Sequence, residues 1–297
     1  MKSSLVLALM ASAVLGLAAG PHYGAWSVPE NLGSVVNSEF DDYGGALSKD
    51  GLSLYFTSNR PGGSGGEDVW VSRRNAIDGL FGAPQNLFMI NSSGYDRTPA
   101  LSRDGHWLLF ATDRTGGSGG LDIWASYREQ TDDDFGWEAP VNLGSGINGV
   151  LHDTGPTYLA GDESHRARIY FARGVGTGTM DIWVSEQTVE GAWGTAAPVG
   201  ELNTAVHDAG AEIRYDGLEI IFHSTRSGGY DLWAATRETT DEPFSTPTNL
   251  GEPPNSLGLD RDAGLSKRGD VMVLSSNREG GVGLLDLYIS ERLKVKR

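Results

Sequence analysis

The chain has 297 residues, 42 glycines, no cysteine and a net charge of −16. Without cysteine it can form no disulfide, thiolate metal site or lipidated thiol. The acidity, with no basic stripe, argues against nucleic acid as a partner and favours solubility, cations or basic partners.

Residues 1–20 read as an export signal. Lys2 supplies a positive start, Leu5 to Leu17 is apolar but too short to span a bilayer, and Ala18-Ala19-Gly20 offers small residues for cleavage. The expectation is a periplasmic or secreted protein. No later apolar run approaches ~18 residues, so a mature chain without a transmembrane segment is expected. Residues 21–297 read as a single domain, monomeric.

The first segment after the leader, Trp26 to Leu32, pairs an aromatic residue with Pro29, as an edge strand would. A longer unit follows. It runs Asp42-Tyr-Gly-Gly-Ala-Leu-Ser-Lys-Asp-Gly51, Leu54-Tyr-Phe-Thr-Ser-Asn-Arg60, then Gly65-Gly-Glu-Asp-Val-Trp-Val-Ser72. Near-copies open at Asp96, Asp153, Asp208 and Asp260, at intervals of 54, 57, 55 and 52 residues. Each predicts four strands. The innermost starts at the Asp and is rich in small residues, as a crowded axis requires. The second is aliphatic and aromatic, the composition of a strand buried on both faces. The third carries Asp-aliphatic-aromatic, as in Asp68-Val-Trp70 and Asp122-Ile-Trp124. The fourth carries an aromatic residue and proline, as in Phe81…Pro84 and Trp137…Pro140, and belongs at the outer edge.

Strand order fixes the topology. A fourth-type strand, 26–32, precedes every first-type strand, and the last repeat ends after its third. The counts match only if 26–32 completes the last unit and removes the open sheet edge. The prediction is an all-β, five-bladed β-propeller of four-stranded antiparallel blades, closed by its N-terminal strand.

The recurring pattern is Trp-x-x-Pro-x-Asn-Leu-Gly, Leu-Ser-x-Asp-Gly, Leu-Tyr-Phe-x-Ser-Asn-Arg and Gly-Gly-x-Asp-Ile-Trp. It resembles the PD40, or TolB-like (WD40-like), propeller repeat, closest to the copies in OmpA-associated envelope proteins. The resemblance covers the whole mature chain and is weakest in the third copy, where Ala172-Arg173-Gly174 replaces Thr57-Ser58-Asn59-Arg60. It implies a binding or scaffold propeller of the cell envelope, with an envelope protein or glycan as partner.

Residues common to all blades are read as structural, because catalytic constellations are asymmetric. Asp42, Asp96, Asp153, Asp208 and Asp260 are expected to accept turn amides. Arg60, Arg114, Arg226 and Arg278 are expected to pin the Gly-rich loops through carboxylates. Asp132-Asp133-Asp134 reads as a solvated turn. His106, His165 and His223 show no partner pattern.

Residues that differ at equivalent positions are the candidates for function. Asp41, Tyr95, His152 and His207 stand before the shared Asp, and Arg97 and Arg261 after it. Asp262 replaces glycine or threonine one step on, and Glu212 replaces a small or hydroxyl residue further in. All are expected at one mouth of the central channel. Tyr95, Arg97, His152, His207, Glu212 and Arg261 form the expected ligand-binding set. No cofactor is expected, except that His152 and His207 with a third ligand would suit a divalent cation. The sequence holds no G-x-S-x-G, H-E-x-x-H or Walker motif. The alternative is a carbohydrate-active enzyme. Five-bladed propellers also house furanosidases, and among the TolB-like propellers that this repeat resembles, some with more blades are pectin-type lyases. Asp41, Glu212 and Asp262 would mimic the carboxylates of the first, and His152, His207 and Arg97 the set of the second.

Overall fold

The computed structural model describes residues 22–175 and 179–295, so the export-signal segment 1–20 lies outside the described residues. Every described element is a strand. Five four-stranded antiparallel sheets form the blades of a propeller. Blade 1 comprises Asp42–Leu47, Ser53–Ser58, Asp68–Arg73 and Gln85–Asn86. Blade 2 comprises Asp96–Leu101, Trp107–Thr112, Asp122–Tyr127 and Val141–Asn142. Blade 3 comprises His152–Leu159, Arg168–Gly174, Met180–Glu186 and Ala197–Pro198. Blade 4 comprises Asp208–Ile213, Glu219–Ser224, Asp231–Thr236 and Thr248–Asn249. Blade 5 comprises Asp260–Leu265, Val271–Ser276 and Asp286–Glu291, and its outer strand is Glu30–Asn31 from the other end of the chain. The ring therefore closes as the strand count requires. A further pair, His22–Tyr23 against Lys294–Val295, reinforces the closure.

The outer strands are shorter than the sequence suggests. The aromatic residue before each proline is not in the strand. Trp26, Phe81, Trp137 and Phe244 are buried plugs beside it. Each plug fills an apolar cluster shared by two neighbouring blades. Phe244 packs with Tyr170, Ile182, Ile213 and Phe222, and Trp137 with Tyr55, Val69, Leu108 and Phe110. Core thus lies between sheets, and burial of these faces is the main force holding blade to blade.

Two buried ionic networks tie blades together at the strand ends away from the shared Asp residues. Asp134, expected to be solvated, is 1% exposed. It accepts hydrogen bonds from Ser53 Oγ (2.7 Å), Tyr55 OH (2.5 Å) and Arg128 Nη1 (3.1 Å). A carboxylate can sit there only because those donors replace its lost water. Asp132 and Asp133 are exposed, as expected. The second network centres on Glu219, held by Arg214 Nη1 (2.6 Å) and by both terminal nitrogens of Arg292 (2.8 and 2.5 Å).

Candidate functional site

The five shared Asp residues are fully buried at the starts of the innermost strands. One oxygen of each accepts the backbone N–H four residues upstream, from Ser38, Ser92, Gly149, Thr204 and Ser256, at 2.5–2.7 Å. The other takes an arginine: Arg60, Arg114, Arg173, Arg226 and Arg278 respectively. The same arginines donate to an upstream carbonyl, such as Val36 O and Ile90 O. Three corrections follow. The arginines hold the shared Asp, not the Gly-rich loop. That loop is tied by the Asp of the third strand, as where Ser64 N donates to Asp68 at 2.7 Å. The third blade also keeps its clamp, because Arg173 reaches Asp153 at 2.6 Å from a different sequence position.

Two residues past each shared Asp the innermost strand bulges, and two residues oppose one on the next strand. The first bulge residue is left-handed in every blade: Gly44 (φ 64°), Thr98 (52°), Gly155 (58°), Gly210 (60°) and Asp262 (51°). Glycine adopts this conformation freely, whereas a side chain costs about 1–2 kcal/mol. Thr98 and Asp262 are the only non-glycine residues with positive φ among the described residues. Both line the mouth of the channel. Strain retained at a pocket wall marks a site where the side chain matters more than the stability lost.

The mouth is a cavity of about 240 Å³. Of the candidate residues it brings together Arg97, His207, Arg261 and Asp262. It adds Tyr43, Glu67, His223 and Tyr230. Tyr43 OH donates to Glu67 Oε2 at 2.7 Å, and Arg97 Nε lies 2.7 Å from the same oxygen. That N–H is misaligned, so the second contact is ionic and not a hydrogen bond. Arg261 Nε lies 3.3 Å from Asp262 Oδ2, again misaligned. Arg97 stacks over Tyr95 at 4.8 Å and Arg261 over Tyr43 at 5.0 Å. His207 and His223 stack at 5.5 Å, and Tyr230 meets both edge-on.

His223 is 4% exposed, and burial lowers its pKa to about 4. It is therefore neutral at pH 7. Asp262 N donates to its Nδ1 at 3.3 Å, and Asp262 Oδ1 lies 3.4 Å from the same nitrogen. Burial also pushes the Tyr43 hydroxyl well above its usual pKa, so it remains a donor.

The remaining candidates are elsewhere. His152 accepts a hydrogen bond from Leu121 N at 3.1 Å and covers Gly120 of the preceding blade. Tyr95 covers Gly66 in the same way and is half-exposed. Asp41 is bracketed with Asn59, whose Oδ1 accepts Asp41 N at 2.9 Å. Glu212 lies deeper in the channel, on cavities of about 40 and 10 Å³. It accepts from Thr157 Oγ1 (2.8 Å) and Leu265 N (3.3 Å). Enclosure, only partly offset by these bonds, raises its pKa to about 7. Among the described residues no group of three or more His, Asp or Glu side chains is arranged to hold a metal.

His223 does have partners, contrary to the sequence reading, and Glu67 and Tyr230 were missed too. Each stands in a column that varies between blades. Thr57, Ala111, Ala172, His223 and Ser275 pair with the residue after the shared Asp. Glu67, Leu121, Met180, Tyr230 and Leu285 precede the third-strand Asp.

Fold and mouth together define a five-bladed β-propeller with fivefold-repeated clamps and one asymmetric polar pocket. No family model matches the chain, and no curated protein matches it. Solved structures do. An α-L-arabinofuranosidase from Lactobacillus brevis is similar at TM-score 0.61 and 12% identity, over 86% of this chain and 92% of that one. A thermostable family-43 glycoside hydrolase is similar at 0.59 and 13%, over 88% and 92%. A putative TolB from Agrobacterium tumefaciens is similar at 0.52 and 13%, over 91% and 97%. Identities this low show the shared propeller fold alone.

Proposed function

We propose that this chain is an exported, envelope-associated binding propeller that recognises a glycan or protein segment at the channel mouth. The observation that supports it is a pocket of about 240 Å³ whose charged groups come from different blades and neutralise one another. Glu67 is engaged by Tyr43 and Arg97, and Asp262 by Arg261, which suits holding a ligand more than attacking one. Aromatic faces beside planar polar groups supply the contacts such sites use. Export to the periplasm or beyond rests on the leader at 1–20. Membership of the TolB-like repeat class rests on the repeat pattern and on the similar fold of the putative TolB. No described helix is long and apolar enough to cross a membrane.

The enzymatic reading has one observation in its favour. Glu212, half-protonated near pH 7, shares an axial cavity with Asp262. A protonated acid beside a carboxylate is the pairing glycoside hydrolysis uses. Asp41 does not join them. A glycan array, with and without divalent cations and read for binding and cleavage, tests both. Binding without cleavage, indifferent to chelator, is expected. Cleavage abolished by Glu212→Gln or His207→Ala would sink the binder.

A further inference from the structure

Arg97 and Arg261 present an unusual excess of donors. Each guanidinium is positioned at its Nε edge by a carboxylate and on its face by a tyrosine. Their terminal nitrogens make no hydrogen bond to the described protein. Each side chain keeps about a quarter of its surface, 27% and 28%, exposed at the cavity. The clamp arginines on the same scaffold spend their terminal nitrogens on an aspartate and a carbonyl. Two rigid forks with unused parallel N–H pairs fit a planar acceptor with two oxygens, which is a carboxylate. His223 and Tyr230 line the same cavity and add polar groups to its wall.

The rim says what carries that carboxylate. The loops just before the shared Asp residues of blades 2–5 expose Tyr95, Val150, Leu151, Val206, Leu257 and Leu259. They encircle the polar pocket, since the residues that follow them in the chain line it. Apolar surface grouped around a polar centre marks a protein contact. A sugar polymer offers little to cover such a crown, whereas apolar side chains of a polypeptide do. Resting on the mouth being a binding site, we infer that it captures the C-terminal carboxylate of a polypeptide. The carboxylate sits between Arg97 and Arg261, and the preceding apolar side chains lie on the crown. Glu67 and Asp262 face the Nε edges and so fix the forks without occupying the seat.

The test uses a pool of fluorescein-labelled hexapeptides with randomised apolar C-terminal residues, made as free acid and as amide. Each is titrated with the protein and followed by fluorescence polarisation. The acid pool is expected to bind about tenfold more tightly than the amide, and Arg97→Gln or Arg261→Gln to remove that preference. Arg97→Lys, which keeps the charge but not the fork, should retain part of it. Leu259→Asp should weaken acid and amide alike. Equal affinity for acid and amide overturns the inference, as does an unchanged preference in either Gln variant that melts like the parent. A uronate tetramer that binds while no peptide does overturns the polypeptide. A neutral tetramer that binds at the mouth while no peptide does also overturns it, yet leaves the proposed function standing.

Discussion

The clamps and the mouth are built from the same residue types, on the same strands, one or two positions apart. In a clamp the carboxylate is fully buried and both oxygens are taken, as at Asp96 with Ser92 and Arg114. At the mouth Arg97, the next residue, is partly exposed and touches its carboxylate only by a misaligned Nε. The clamp repeats in every blade, whereas the left-handed Thr98 and Asp262 and the misaligned Arg97 and Arg261 are not repeated. Repetition of a satisfied carboxylate is therefore the mark of scaffold here, and strain at an unrepeated position is the mark of a site.

That contrast is broken most directly at a clamp. Asp208→Ala leaves Arg226 and Thr204 N without their partner. A loss of about 3–5 kcal/mol is expected by urea denaturation, the usual cost of breaking a buried pair. Arg261→Gln at the mouth should cost under about 1 kcal/mol, as a partly exposed pair would. Equal losses would erase the distinction.

Titration sharpens it next. Glu212 has a folded pKa of about 7, above its ordinary 4.5. The folded state then binds the extra proton between those values, so this group's contribution is greatest at low pH and is lost as pH rises to about 7. Glu212→Gln should become more stable relative to the parent from pH 5 to pH 8, by at most about 3 kcal/mol. A pH-independent difference would show that the carboxyl is already solvated. His223 runs the other way, its folded pKa being about 4 against 6.5. Its contribution is present above pH 6.5 and lost as pH falls through about 4. His223→Gln should flatten the acid limb of the stability curve between pH 6.5 and 4.

The smallest effect concerns strain. Asp262→Gly relieves a left-handed side chain and should stabilise by about 1 kcal/mol while weakening ligand binding. Melting temperature measures the first and polarisation the second. A destabilised variant would mean that the Arg261 contact outweighs the strain.

Much of this architecture is readable along the chain. The period, the Asp-Gly turns and the displaced strand at 26–32 specify blade number, strand order and closure. They do so because strand pairing is local within a repeat and an open edge is unfavourable. The Asp column is equally visible, but its arginine partners are not, since Arg173 reaches Asp153 from a position outside the repeat pattern. Asp134 looks like surface because its donors Ser53 and Tyr55 lie some eighty residues away. At the mouth, position in the repeat indicates Arg97, His207, Arg261 and Asp262, and also suggests His152, Tyr95, Asp41 and Glu212 at the same place. Only the tertiary structure separates them. The bulge that begins at Gly210 turns the innermost strand of blade 4 before Glu212, which lies beyond it and down the channel. The packing of one blade on the next lays His152 and Tyr95 over glycines instead of into the cavity. Repetition along the chain determines the fold because it encodes neighbours. Which asymmetric side chains meet across the axis depends on twist, bulge and closure, and these exist only once the ring is formed.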